Sequence, residues 1–233
     1  MTSGTTTHPA CRVVVLISGN GSNLQALLDY PDKNYQICRV VSNRADAFGL
    51  QRARNAGIGT DVLDHKEFTT RETFDDELMR IIDSHQPDLV VLAGFMRILS
   101  SGFVQHYSGR LLNIHPSLLP MYKGTNTHQR VLEAGDRFHG VSVHFVTEEL
   151  DGGPVVAQAT IAVLSNDDKD SLAQRVATQE HRLYPEVVSW FAAGRLRILH
   201  GAACLDQVVL SAQGVQVNIN GTHAHAHIKK PSQ

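Results

Sequence analysis

The chain of 233 residues has little cysteine: Cys11, Cys38 and Cys204 are odd in number and far apart. That excludes a disulfide framework and fits reduced thiols in a cytosol, read here as small buried hydrophobes. It also lacks an excess of charge. The formal net charge is −2, with acidic and basic residues interspersed, so there is no electrostatic footprint for nucleic acid or a membrane surface. No apolar run approaches the roughly eighteen residues that a membrane span needs. Residues 1–9 are polar, without the apolar centre of a signal peptide. These absences predict a soluble, cytoplasmic protein whose partners are neither nucleic acid nor membrane. With 42% hydrophobic residues the chain can build one well-buried α/β domain but hardly two.

Short apolar runs alternate with amphipathic stretches, the pattern of βαβ units in a parallel sheet. Strands are expected at Arg12 to Ile17, Ile37 to Val41, Thr60 to Leu63, Leu89 to Leu92 and Leu111 to Ile114. Helices are expected from Leu24, over Phe48 to Ala56 with Gly57 closing it, over Thr73 to Ser84 behind a Thr70 cap, and from Ser100 or Ser101. The segment Met121 to His128 is polar and aperiodic, and reads as a mobile surface loop near the site. Val141 to Val146 and Val155 to Val163 read as strands joined by a turn at Asp151, which makes the sheet mixed there. Asp168 to Phe191 is the last long helix, which Pro185 should bend or interrupt. Arg195 to Leu199 is a further strand. Beyond about Gly214 a polar tail with alternating His223, His225 and His227 has no reason to pack, and no carboxylate or cysteine accompanies it to make a metal site.

Two stretches carry chemistry. Ser18-Gly-Asn-Gly-Ser-Asn23 follows the first strand and opens a helix, where free N–H groups and the positive end of the helix dipole attract an anion such as phosphate. A dinucleotide fingerprint would need a glycine where Leu24 stands and an acidic residue where Ser42-Asn43 stand, and no Gly-Lys-Ser/Thr follows for ATP. A tight turn without a ligand is the other reading of this loop. In Leu111-Leu-Asn-Ile-His-Pro-Ser-Leu-Leu-Pro120 the period of a strand puts Asn113 and His115 on one side, and Pro116 ends the ladder just beyond them. An amide donor beside an imidazole suits the oxygen of a carbonyl that becomes tetrahedral, with a distant carboxylate to keep the imidazole charged. Acyl or formyl transfer is the chemistry this suggests. A satisfied core histidine is the other reading of His115, and a plain turn residue that of Asp151 beside Gly152-Gly153-Pro154.

Val14-Val-Leu-Ile-Ser-Gly-Asn-Gly-Ser-Asn-Leu-Gln25, Ala93-Gly-Phe-Met-Arg-Ile-Leu99, Asn113-Ile-His-Pro-Ser-Leu-Leu-Pro120 and Ser142-Val-His-Phe-Val-Thr-Glu-Glu-Leu-Asp-Gly-Gly-Pro154 together resemble the phosphoribosylglycinamide formyltransferase family of folate-dependent formyltransferases. The resemblance runs from about Arg12 to Leu205. It implies a single Rossmann-like formyltransferase domain over 12–205, between a polar extension 1–11 and a partly disordered extension 206–233. The implied fold is a mostly parallel twisted sheet of about seven strands, antiparallel near the C-terminal half, with helices on both faces. The reaction it implies passes the formyl group of 10-formyltetrahydrofolate, the co-substrate, to the amine of 5-phosphoribosylglycinamide in purine synthesis, with no metal. Asn113, His115 and Asp151 correspond to the family's catalytic set. The backbone of Gly21, Ser22 and Asn23 corresponds to its phosphate site, and Glu180 to a ribonucleotide contact. Arg71, Met96, Arg97, Ile98 and Leu99, with Asn113, correspond to its folate contacts. His144 is a candidate to support the set from behind, and Asn126 and His128 receive no firm role. A homodimer is left open.

Within the superfamily, a methionyl-tRNA formyltransferase would carry a further basic RNA-binding domain, and a formyltetrahydrofolate hydrolase an N-terminal regulatory domain. Neither is expected for this chain. A non-catalytic phosphate-binding module would keep the Gly21 loop but have no use for Asn113, His115 and Asp151 together.

Overall fold

The computed structural model describes residues 10–217. In chain order the elements are β1 (Cys11–Ile17), α1 (Ser22–Asp29), β2 (Tyr35–Ser42), α2 (Phe48–Asn55), β3 (Thr60–Val62), α3 (Arg71–Ser84), β4 (Leu89–Leu92), α4 (Ser101–His106), β5 (Leu111–His115), α5 (Thr127–Ala134), β6 (Phe138–Phe145), β7 (Val155–Ala162), α6 (Lys169–Ala192), β8 (Leu196–Leu199), β9 (Ala202–Leu205), β10 (Val208–Val209) and β11 (Val215–Val217). Eight strands form one sheet in the order β11-β7-β6-β5-β4-β1-β2-β3. Strands β3, β2, β1, β4 and β5 run parallel, β6 is antiparallel to both β5 and β7, and β11 is parallel to β7.

β1 shows why the centre of the sheet reads as a continuous apolar run. Val13 to Ile17 are all fully buried, because both faces are covered. Alternate residues separate into two cores. Val13, Val15 and Ile17 pack with Leu24, Leu50, Val131 and Val187, from α1, α2, α5 and α6. Val14 and Leu16 pack with Phe74, Leu78, Ile82 and Phe103, from α3 and α4. Side chains close three helices at their start. Thr70 accepts from the Thr73 N–H, Ser100 from the Phe103 N–H, and Asp168 with Ser171 forms a reciprocal capping box; each such cap is worth about 1 kcal/mol.

The structure departs from the sequence reading in four places. The main sheet has eight strands, not about seven, because Val215–Val217 pairs with Ala157–Ala159 as an edge strand. This stretch is no unpacked tail: Val215 and Val217 are buried. β8 does not join the main sheet but forms a separate antiparallel sheet with β9 and β10. α5 starts in the last two residues of the segment read as a loop, Thr127 and His128, and runs on to Ala134 through a stretch given no element in the sequence reading, closed by Gly135 at φ +67°. Pro185 removes one N–H donor, yet α6 runs uninterrupted from Lys169 to Ala192, because the buried packing of Leu183, Tyr184, Val187 and Val188 outweighs one hydrogen bond. The His223 to His227 stretch lies outside the described residues. No helix among the described residues is long and apolar enough to cross a membrane.

Candidate active site

From β1 the chain leads to β2 on one side, while β4 lies on its other side. This is a topological switch point, beyond whose carboxyl strand ends open α/β sheets place ligands. The loop after β1 and the loop after β4 meet there, around a cavity of about 470 Å³ lined by Gly19, Gly21, Asn23, Asn43, Gly94, Met96 and Arg97, among others.

Gly21 occupies the N-cap of α1 in the left-handed conformation, φ +74°, and offers no side-chain cap. The N–H groups of the first helical turn are thereby left for an anion. Its lack of a side chain has a second reason. A Cβ on Gly21 would stand 2.6 Å from the Cα of Gly49, whose own N–H donates to the Gly19 carbonyl at 3.0 Å. The loop is braced from outside by Arg52, whose Nε donates to the Asn20 carbonyl at 2.9 Å and Nη2 to Asn20 Oδ1 at 3.0 Å. Asn23 Nδ2 donates to Glu180 Oε2 at 2.8 Å, whereas Asn23 Oδ1 is buried without a protein partner. Burial pushes the Glu180 carboxyl above the usual carboxylate range, and the Asn23 hydrogen bond offsets part of that.

A second groove lies against Ser22, lined by Gln25, Tyr30, Arg52 and His181. His181 Nε2 is buried with no partner, and burial together with the Arg52 charge lowers the imidazole's pKa. Neither His181 nor Arg52 was singled out by the sequence reading. The signal for His181 was its place beside Glu180 on one helix; Arg52, thirty-two positions from Asn20, gave none.

The loop after β4 exposes large apolar side chains, Met96 at 76% and Ile98 at 61%, as a flat hydrophobic ligand would require. Arg97 stacks on the Phe74 ring with its guanidinium carbon 4.5 Å from the centroid. Arg71 opens α3 nearby: its charge and that of Arg97 both act on buried Asp75. Leu99 packs partly into the core beside Phe103. Arg71, Ile98, Leu99 and Glu180 stand around the crevice rather than in the lining of the central cavity.

The structure brings Asn113, His115, His144 and Asp151 together at the carboxyl end of β5. Asn113 pairs with His144 across β5 and β6, and its Nδ2 lies 3.2 Å from His144 Nε2. His144 Nδ1 lies 2.9 Å from the Phe145 carbonyl, which can only accept, so Nδ1 carries the proton and Nε2 accepts from Asn113. Burial lowers the His144 pKa to about 4, so it stays neutral. Asp151 Oδ2 lies 3.5 Å from His115 Nδ1, and Oδ1 lies 3.8 Å from His144 Nε2. The turn that presents Asp151 is unusual: its φ is +48°, a conformation that aspartate and asparagine adopt more readily than most residues. Beside it Gly153 passes so close to the Phe145 carbonyl that a Cβ would collide with that oxygen.

Both nitrogens of His115 face protein oxygens, because Nε2 donates to the Tyr122 carbonyl at 2.9 Å. The 120–124 turn is therefore in contact with the set, with the Gly124 N–H donating to Asp151 Oδ2 at 2.8 Å. Beneath it, Ser142 Oγ donates to the Ser117 carbonyl and accepts from the Leu119 N–H, and Gln158 Nε2 donates to the Leu119 carbonyl. Asn126 is the N-cap of α5 at φ +57°. His128 Nδ1 lies 3.0 Å from His139 Nε2, and burial lowers both imidazoles, His139 to about 4. Among the described residues no group of His, Cys, Asp and Glu could hold a metal ion.

Known proteins place this arrangement. The formyl transferase family pattern matches residues 11–188. The phosphoribosylglycinamide formyltransferase of Escherichia coli (strain K12) is 58% identical over 205 residues, covering 87% of this chain and 97% of that protein. Its counterpart from Haemophilus influenzae is 45% identical over 206 residues, with the same coverage of each. Among solved structures, the phosphoribosylglycinamide formyltransferase from Coxiella burnetii superposes with a TM-score of 0.86 at 50% identity, covering 89% of this chain and 99% of that one. An amide, imidazoles and a carboxylate gathered at one strand end, within a fold and sequence shared at this level, leave one assignment: the chain belongs to the formyl transferase family.

Proposed function

We propose that the chain transfers the formyl group of 10-formyltetrahydrofolate to the amine of 5-phosphoribosylglycinamide, giving the N-formyl ribonucleotide and tetrahydrofolate in de novo purine synthesis. The observation that carries the reading is the Asn113–His144–Asp151–His115 constellation beside the crevice. The free N–H groups at Gly21 to Asn23 hold the substrate phosphate, with the Arg52 charge behind the loop, and Glu180 binds the ribonucleotide beside Asn23. Met96, Ile98 and Leu99 receive the folate ring system, with Arg71 and Arg97 near its anionic end. The reaction takes place in the cytoplasm, in keeping with three free thiols.

The amine attacks the formyl carbon, forming a carbon–nitrogen bond and placing negative charge on the formyl oxygen. His144, neutral and fixed in one tautomer, holds the Asn113 amide so that its second N–H remains to donate to that oxygen. The two ring nitrogens of His115 face a carbonyl and a carboxylate, an arrangement that the doubly protonated ring satisfies. For the ring to donate to the formyl oxygen, the Tyr122 carbonyl has to give up Nε2. Asp151 balances the imidazolium charge. By way of a water it passes the proton lost by the amine towards the folate nitrogen, whose bond to the formyl carbon then breaks. No covalent enzyme intermediate is required.

The test is an assay of tetrahydrofolate release by the purified protein. Turnover with 5-phosphoribosylglycinamide and none with its dephosphorylated nucleoside is the expected result. Equal rates with the two would overturn the phosphate placement, and absence of formyl transfer would leave a binding module instead.

A further inference from the structure

One buried hydroxyl joins the three loops that meet at the switch point. Ser18, the first residue beyond β1, is 5% exposed. Its N–H donates to the Gly94 carbonyl at 3.1 Å, its Oγ accepts from the Met96 N–H at 2.8 Å, and its Oγ–H donates to Asn43 Oδ1 at 2.6 Å. Asn43 follows β2 and is 3% exposed, whereas Gly94 and Met96 follow β4. Ser18 itself begins the stretch that continues into Gly21 and α1.

A hydroxyl has a single proton. Spending it on Asn43 turns the oxygen's lone pairs towards Met96, and the first bond polarises the second. Beyond Met96 the loop is held by Arg97 on the Phe74 ring, by Leu99 packed partly into the core and, at its far end, by the Ser100 N–H donating to Asp75 Oδ2 at 2.5 Å, while Met96 and Ile98 project outward. Any displacement of the Gly19 to Asn23 backbone that moves Ser18 therefore moves the start of the Met96–Leu99 loop, and the reverse holds equally.

We propose that Ser18 is a positioning residue that couples the two substrate sites, so that filling the ribonucleotide loop orders the folate loop and filling the folate loop orders the ribonucleotide loop. This rests on the substrate placement proposed above. By linkage the coupling is the same factor whichever substrate binds first.

Calorimetry on the full chain tests it, with 5-phosphoribosylglycinamide titrated alone and then with saturating tetrahydrofolate, which has no formyl group to transfer. In the parent, tetrahydrofolate should tighten ribonucleotide binding by about fivefold or more, the lower end of ordinary couplings. Ser18→Ala should bring that ratio to within about twofold of unity and raise the KM for the formyl folate about tenfold, as expected when the Met96 N–H and the buried Asn43 amide oxygen lose their shared partner. Asn43→Ala leaves the hydroxyl on Met96 but frees its direction, and should give an intermediate ratio; it carries the test if Ser18→Ala does not fold. A parent ratio of one, or a variant that loses thermal stability with the ratio intact, would overturn the proposal. Glu180→Gln keeps the two failures apart. If it weakens the ribonucleotide without changing binding of tetrahydrofolate alone, while Ser18→Ala leaves the ratio untouched, the placement stands and the coupling falls. If it leaves ribonucleotide binding unchanged, both fall.

Discussion

The two halves of the sheet handle polarity in opposite ways. In the parallel half, β1 and β4 bury apolar residues alone, and polar groups stand in the loops beyond the strand ends as backbone groups and short side chains. In the antiparallel half, β5 and β6 carry buried polar side chains within the strands, among them His115, Ser142 and His144, and His139 on the same strand. A parallel pair leaves its loops at one edge, as a binding rim. An antiparallel pair sets side chains directly opposite each other, near enough for Asn113 to meet His144. On this view the first half binds and the second half reacts, because each pairing geometry favours that use.

The sharpest way to break the contrast is in the antiparallel half. Asn113→Ala and His115→Ala should each lower kcat about a hundredfold to a thousandfold, the range for one donor to a developing oxyanion, with ribonucleotide affinity nearly unchanged. Asp151→Asn keeps shape and turn preference but deletes the charge, and kcat should fall about a hundredfold in a protein that still folds and binds the ribonucleotide. If turnover survives in any of the three, that residue leaves the proposed set.

In the parallel half, Gly21→Ala should act on stability before it acts on binding. It places a Cβ 2.6 Å from Gly49 Cα at a φ of +74°, so the melting temperature should drop by several degrees, as a loss of about 1 to 3 kcal/mol implies. An unchanged melting temperature would show that the α1–α2 contact yields easily.

The buried histidines give the antiparallel half a pH signature. His139 and His144 titrate near 6.5 unfolded but are lowered to about 4 by burial. Folding is therefore favoured by their neutral forms. This contribution is fully present above about pH 6.5 and is lost as pH falls towards 4, because the unfolded chain then binds more protons, on the order of 3 kcal/mol for each ring. Denaturant midpoints should fall across that window, and His139→Asn should flatten the slope. A slope equal to the parent's would remove His139 from the account. The smallest effect is expected at Ser22→Ala. With the phosphate held by backbone as proposed, the KM for the ribonucleotide should change by no more than about twofold; a larger change would mean that the hydroxyl itself holds the phosphate.

How much of this is legible in the sequence follows the range of the interaction. β4 matches its reading at Leu89–Leu92, and Thr70 caps α3 as read, because apolar period and caps act over a few residues. α5 escaped notice because it is eight residues long, with Val131 its only fully buried apolar residue. β11 escaped because three residues carry no period, and only the free edge of β7 makes them a strand.

Local chemistry was written in the chain: the loop at Gly21 opening a helix, Asn113 and His115 two apart on one strand, and an aspartate in a glycine-rich turn. Tertiary structure alone decided which oxygens those groups face. The Tyr122 carbonyl on His115, the Arg52 brace on Asn20 and the Ser18 hydroxyl shared with Asn43 and Met96 come from different elements. Hydrogen bonds need their partners within about 3 Å and in line, and most of these partners are far apart in sequence. The chain encodes the groups, but the packing of one element on another sets their directions.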